Sequence, residues 1–302
     1  MTIDHYVIFE DRGIVAVGGQ DRVAFLQGLV SNDVTKVSPE RAVYSAFLTA
    51  QGKFLHDFFV IDTGEALLLD CERDRADDLK KRLSLYKLRS KVTLENASDR
   101  FRVGAAFGPN VRAKLDLEGH GAAQSFAGGY LYLDPRLREM GARFVQPVLG
   151  PDLVSDDPLL SYGFVRGELE DYHRLRIANG LPDGSRDMIV DKAILLENGF
   201  DELHAVDWNK GCYIGQELTA RTKYRGLIKK RLMPVTVEGP MPAPGTVIEL
   251  DGKEAGEMRS AAGAQGLALL RLEAVAAAAS NGLPLTAGDA KLTPVKPDWA
   301  SF

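Results

Sequence analysis

The sequence predicts an α+β protein: a portion of strands and helices on antiparallel sheet over residues 1–226, then a small all-β, barrel-like domain over 227–302. Three observations carry this. Strand and helix signals alternate through the first part of the chain, joined by hairpin-length turns rather than parallel crossovers. After Tyr224 the texture changes to short apolar runs divided by Pro- and Gly-rich turns, densest at Gly239-Pro240-Met241-Pro242. Finally, 302 residues are too many for one small core.

Taken in order, Tyr6–Phe9 and Ile14–Val17 read as strands around the turn Asp11-Arg12-Gly13. Asp21 fits the N-cap of a helix with Phe25, Leu26 and Leu29 on its apolar side, and Ser31-Asn32-Asp33 stops it. Ala42–Thr49 and Lys53–Ile61 form a hairpin pattern across Gln51-Gly52. Ala66–Cys71 is a further strand, and Arg73–Tyr86 a charged amphipathic helix with Leu79 and Leu83 inward. Lys91–Leu94 and Arg102–Phe107 return to strand. Val111–Leu117 is helical, and strands Tyr130–Leu133 and Ala142–Pro147 follow. Pro158 suits a first helical turn, and Leu159–Ile177 continues as one helix to the stop Gly180-Leu181-Pro182. In the C-terminal part, Ile228–Val237, Thr246–Leu250, Lys253–Met258 and Gly266–Arg271 are strands, and Ala274–Ala279 is a surface helix or loop.

Hydrophobic residues at 45% and charged residues at 26% exclude disorder, collagen and a disulfide scaffold. No apolar run is long enough to cross a bilayer. The start, MTIDHYVIFEDRG, has neither a basic nor an apolar leader region, and two cysteines fit a reducing compartment, so a cytoplasmic location is expected. Net charge is −5, yet Asn209–Arg231 carries seven bases and one acid, leaving −11 for the remainder. Such a window is either a solvated face or an anion site.

Dinucleotide, P-loop and hydrolase-elbow signatures are absent. The five histidines are scattered, and no metal site is expected. An iron–sulfur cluster usually takes four thiolates, so two cysteines cannot hold one alone. The chemistry concentrates instead in Asp207–Glu217. There Cys212 sits between Gly211 and Gly215, two residues after Lys210 and ahead of Arg221 and Arg225. A nearby cation favours the thiolate, the reactive form of cysteine. A lone cysteine can equally be a small buried hydrophobe, and the chemistry alone leaves both readings open. Cys71, ending an apolar strand, reads as core, and Trp208 does too.

The strings KGCYIGQE (210–217) and ARTKYRG (220–226) resemble the signature of the YgfZ family, relatives of the glycine-cleavage T-protein. FLQGLVSNDV, LTAQGKFLHDFFV, YKLRSKVTLE and RIANGLP resemble further family blocks in the same order. This resemblance implies a T-protein-like folate-binding fold of two α+β lobes plus a C-terminal β-barrel. It implies a part in iron–sulfur cluster assembly or repair, with clients including tRNA-thiolating radical enzymes. It puts the motif cysteine at Cys212, with Lys210, Gly211, Tyr213, Gly215, Gln216 and Glu217 around it. The cofactor it implies is tetrahydrofolate or a one-carbon derivative, in a pocket where Arg12 and Tyr172 stand at positions that relatives often fill with tryptophan. Asp57 aligns with an acidic position near the reactive nitrogen and is otherwise a structural carboxylate. Asn32 is a pocket residue or part of a helix stop. Arg221 and Arg225 either share a helix face or grip a folate glutamate carboxylate.

The leading expectation is a folate-binding iron–sulfur assembly factor in the bacterial cytoplasm, with Cys212 as a functional thiol. Its partners would be reduced folate and iron–sulfur machinery or clients, with no membrane and no direct RNA binding. The alternative is an enzyme, a tetrahydrofolate-dependent aminomethyl or one-carbon transferase. That chemistry needs no cysteine, whereas this chain centres one in its strongest motif.

Overall fold

The computed structural model describes residues 3–148, 157–226 and 228–302; residue 227, at the boundary expected between the two parts, lies outside them. Two compact units emerge, and neither is a continuous stretch of chain. The first comprises Met1–Leu48, His56–Leu169 and Leu203–Ile214; the second comprises Thr49–Leu55, Glu170–Glu202 and Gly215–Phe302.

The first unit contains β1 (His5–Phe9), β2 (Arg12–Gly18), helix α1 (Arg22–Gln27), β3 (Val43–Leu48) and most of β4 (Phe54–Asp62). Next come β5 (Ala66–Glu72), α2 (Ala76–Ser84), β6 (Thr93–Asn96), β7 (Phe101–Phe107) and α3 (Val111–Leu115). The unit continues with β8 (Ala123–Phe126), β9 (Gly129–Leu133), β10 (Ala142–Pro147), α4 (Pro158–Ser161) and β11 (Val165–Arg166). Its strands form a six-stranded sheet, β11-β1-β7-β10-β9-β8, and a five-stranded sheet, β3-β4-β5-β2-β6. Among the described residues, β1 pairs with β11 in parallel, and the pairings of β1 with β7, β7 with β10, β10 with β9, β9 with β8, β4 with β5, β5 with β2 and β2 with β6 are antiparallel. Uninterrupted burial along β2, β3 and β4 explains why these runs lack alternation in sequence.

Between the two sheets lies a charged cluster rather than a purely apolar layer. Asp70 of β5 accepts from Arg12 Nε of β2 at 2.7 Å and from Arg143 Nη2 of β10 at 2.7 Å. Tyr132 of β9 donates to the same carboxylate at 3.1 Å. The Arg143 guanidinium lies over the rings of Phe59 and Phe9, 4.3 and 4.9 Å from their centroids. Burial alone would raise the Asp70 carboxyl, but Arg12 and Arg143 outweigh it and hold it below the ordinary carboxylate value.

In the second unit are α5 (Leu169–Ala178, from Glu170 on), α6 (Gly184–Asp187) and α7 (Gln216–Tyr224). They are followed by β12 (Lys230–Glu238), β13 (Val247–Leu250), β14 (Lys253–Ala262), β15 (Gln265–Arg271), α8 (Leu272–Asn281), β16 (Leu285–Ala287) and β17 (Ala290–Pro294). The six strands close into a barrel in the order β12-β15-β14-β13-β16-β17. Its core includes Met233, Val235, Ile248, Met258, Leu270, Leu285 and Leu292.

Two expectations are corrected, and three strands are added. The single helix over Leu159–Ile177 is in fact α4, the short strand β11 and α5. Gly163, at φ +73°, turns the chain out of α4, a conformation that opposes helix continuation. The strands β8, β16 and β17, of three to five residues each, are too short for alternation to mark them in the sequence. Asp21 precedes α1, but its side chain makes no cap; its Oδ2 accepts from the backbone of Lys91 at 2.7 Å.

Candidate functional site

The segment Leu203–Ile214 is fastened to the stretch that follows α1. Asp207 begins the motif loop by accepting at Oδ1 from the backbone amides of Asn209 (2.8 Å) and Lys210 (3.1 Å), an Asx turn. Its other oxygen receives the Lys36 ammonium, and its amide donates to Ser31 O at 3.1 Å. Lys210 then folds inward. Its Nζ donates to the carbonyls of Val30 and Asn32, both at 2.6 Å, and lies 5.1 Å from the centre of the Tyr213 ring. Ile214 N closes the far side on Gly28 O at 3.2 Å. Burial lowers Lys210 to about 8, against the opposing pull of Asp33 and Asp207.

Cys212 projects from this braced loop and is exposed, whereas Cys71 is buried and its thiol is pushed up to about 12, chiefly by desolvation. The small-buried-hydrophobe reading therefore fits Cys71 and not Cys212. The ammonium of Lys210 is occupied by two carbonyls, so its place in the motif is explained by positioning the loop. A Cβ on Gly211 would meet nothing, so space does not require glycine there. Gly215 is different: it stands at φ +80° as the N-cap of α7, where a side chain would be strained. Tyr213 is buried under the loop, and Gln216 and Glu217 open α7 in the second unit.

Ser31-Asn32-Asp33 does more than stop a helix. Ser31 Oγ donates to Ala205 O at 2.6 Å, and Asn32 Nδ2 donates to Tyr44 O (2.7 Å) and His204 O (2.8 Å). Asn32 and Asp207 also border a cavity of about 250 Å³ whose other walls include Arg41, Tyr44, His120 and His204. The two imidazoles there meet edge to face at 4.7 Å.

The residues assigned to folate divide between the two units. Within the first unit, Asp57 is buried and accepts from Tyr44 OH at 2.6 Å, and Arg12 is buried on Asp70. Tyr172, Arg221 and Arg225 belong to the second unit. Tyr172 is buried; Arg221 pairs with Glu217 on the exposed side of α7, and Arg225 is exposed at its end. Trp208, read as core, is half-buried. Much of the basic window is internally neutralised: Lys223 pairs with Asp201, and Arg231 with Glu202. Among the described residues no group of three or more His, Cys, Asp or Glu is placed to hold a metal ion.

Comparison with known proteins adds three findings. The description "GCVT N-terminal domain" matches residues 10–119, and "CAF17, C-terminal beta-barrel domain" matches residues 229–302. The mitochondrial iron–sulfur cluster assembly factor IBA57 of Mus musculus is 36% identical over 315 residues, covering 96% of this chain and 84% of that protein. The protein of that name from Homo sapiens is 36% identical over 286 residues, covering 88% and 77%. Among solved structures, the glycine cleavage system aminomethyltransferase T from Bartonella henselae matches with a TM-score of 0.77 at 15% identity, covering 99% of this chain and 86% of that one. The T-protein-like fold expected from the sequence is thus the fold found. The cytoplasmic location is overturned, since these relatives are named as mitochondrial. An N-terminus without an evident leader pattern and a low cysteine count fit more than one compartment, so neither fixes it.

Proposed function

The chain belongs to the family of the iron–sulfur cluster assembly factor IBA57, and from that premise we propose that it takes part in assembling or repairing iron–sulfur clusters of other proteins, with Cys212 as its working thiol. The observation that carries this reading is an exposed cysteine on a loop braced on both flanks. A cluster usually takes four thiolates, and this chain offers a single exposed one. The cluster is therefore cargo, and the remaining ligands come from assembly machinery or from client proteins, tRNA-thiolating radical enzymes among them. Lys210, Asp207 and the carbonyls of Val30 and Asn32 hold the loop so that the thiol meets an incoming cluster in one orientation.

A reduced folate as cofactor is supported by the likeness in fold to the aminomethyltransferase. The side chains assigned to it fit less well. Arg12, Asn32 and Asp57 are hydrogen-bonded inside the first unit, so no step of this reading runs through folate. The aminomethyl or one-carbon transferase alternative has the fold alone behind it. In a strain lacking the protein, Cys212→Ser should fold and yet leave iron–sulfur enzyme activity at the level of the empty strain; full complementation would overturn the thiol reading. Calorimetry with tetrahydrofolate on the same purified variant tests the cofactor separately, and absence of heat would remove folate while leaving the thiol reading intact.

A further inference from the structure

The segment Lys80–Lys91 carries six bases and no acid in a chain whose net charge is −5. It runs from the last turns of α2 into a loop that exposes large apolar side chains: Leu85 is 71% and Leu88 90% accessible. The loop is nonetheless well built. Amides of Leu85, Tyr86 and Lys87 return to carbonyls of α2, and Lys91 O accepts from Asp21 N. The Tyr86 ring packs edge-on against Phe47. Lys80 and Arg82 meet acids of α2, while Lys81, Lys87, Arg89 and Lys91 have no acid within ion-pair distance among the described residues. Leu88 is held at φ +42°, a left-handed conformation in which asparagine is comfortable and leucine is not.

Resting on the assembly reading, which requires a second protein to supply cluster ligands, we infer that Leu85–Lys91 is a docking surface for a protein partner with an apolar socket rimmed by carboxylates. Two projecting leucines among free cations match the apolar anchor and charged rim of a protein interface. An RNA would leave both leucines in water, and the segment offers it one aromatic ring, Tyr86, which is partly covered by Phe47. A lipid surface would gain little, because two leucine side chains carry fewer carbons than the single myristoyl chain that holds a protein only marginally.

Leu88→Asn removes the anchor while relaxing the backbone, and Lys87→Glu with Arg89→Glu reverses the rim. Leu88→Asn should melt no lower than the parent, and both variants should lose at least fivefold of the iron–sulfur enzyme activity restored in the deficient strain. A photoreactive phenylalanine analogue at position 88 should cross-link in cells to an iron–sulfur protein through an acidic segment identified by mass spectrometry. That adduct should vanish in the charge-reversed background, and the same analogue at exposed Leu283 should not form it. Full activity of both variants would overturn the proposal. So would binding of the parent, lost in the variants, to vesicles containing phosphatidylserine or to tRNA. Failure of the Cys212→Ser test with the cross-link intact would remove the thiol reading alone; the converse would remove the docking surface alone.

Discussion

At the scale of single residues, Lys210 shows how a motif position can serve the reactive residue indirectly. Its ammonium is half-buried beneath the loop and hydrogen-bonded to Val30 O and Asn32 O. Its folded value of about 8 lies below the ordinary 10.5, so between these values the unfolded chain keeps a proton that the folded chain has released. Stability therefore rises with pH across that window. Denaturant midpoints from pH 7 to 11 should show this rise in the parent, and Lys210→Met should flatten it; identical slopes would mean that the ammonium stays solvated. The string around Cys212 was legible in sequence because its neighbours are unusual and contiguous. The bracing of that string was not. Val30, Asn32 and Asp207 act through carbonyls and a turn, and no side-chain pattern announces a carbonyl that accepts from a residue 180 positions away. The docking leucines did have a signal, six bases without an acid, but it lay inside a stretch already accounted for as a helix end and a family block.

At the scale of elements, α2 is joined to β4 by a group whose charge state matters. His56 is buried on β4, and its Nε2 lies 2.9 Å from Asp78 of α2. Burial first, and the neighbouring Arg75 next, lower His56 to about 4 from 6.5 in spite of Asp78. The unfolded chain thus takes up a proton at higher pH than the folded one. Stability on this account is full above about pH 6.5 and is lost as the pH falls toward 4, by roughly 3 kcal/mol in all. His56→Gln keeps a hydrogen-bond donor for Asp78 without titrating, and should remove most of the difference between urea midpoints at pH 7 and pH 4.5. An unchanged difference would place the acid sensitivity elsewhere. The helix is legible in sequence for a separate reason: Leu79 and Leu83 are fully buried at the spacing the pattern requires. The long helix drawn over Leu159–Ile177 failed for the opposite reason. Apolar spacing continues through Phe164 and Val165, and only the backbone at Gly163 shows that the chain has turned. The closing strands of the barrel are three and five residues long, too short for alternation to register.

Across the whole molecule, each compact unit places a buried carboxylate where two of its layers meet. In the first, Asp70 of β5 gathers Arg12, Arg143 and Tyr132 from strands of both sheets. In the second, Asp187 at the end of α6 accepts from Arg176 Nη1 of α5 at 2.8 Å and from the Ser260 amide of β14 at 2.9 Å, while Arg176 Nη2 reaches Ser260 Oγ at 2.9 Å. Removing one member of such a buried set leaves charge without compensation, at a cost of about 3–5 kcal/mol. Asp70→Asn leaves both Arg12 and Arg143 in that position, and Asp187→Asn leaves Arg176. Because each carboxylate ties layers of its own unit, the damage should be local. Native-state hydrogen exchange should lose protection in β5, β9 and β10 for Asp70→Asn, and in α5 and β14 for Asp187→Asn. If either substitution released amides equally throughout the chain, the carboxylates would not be local ties. A loss below about 1 kcal/mol for Asp70→Asn would mean that the neutral amide satisfies both guanidinium groups, and that their stacking on Phe59 and Phe9, rather than the carboxylate, joins the sheets.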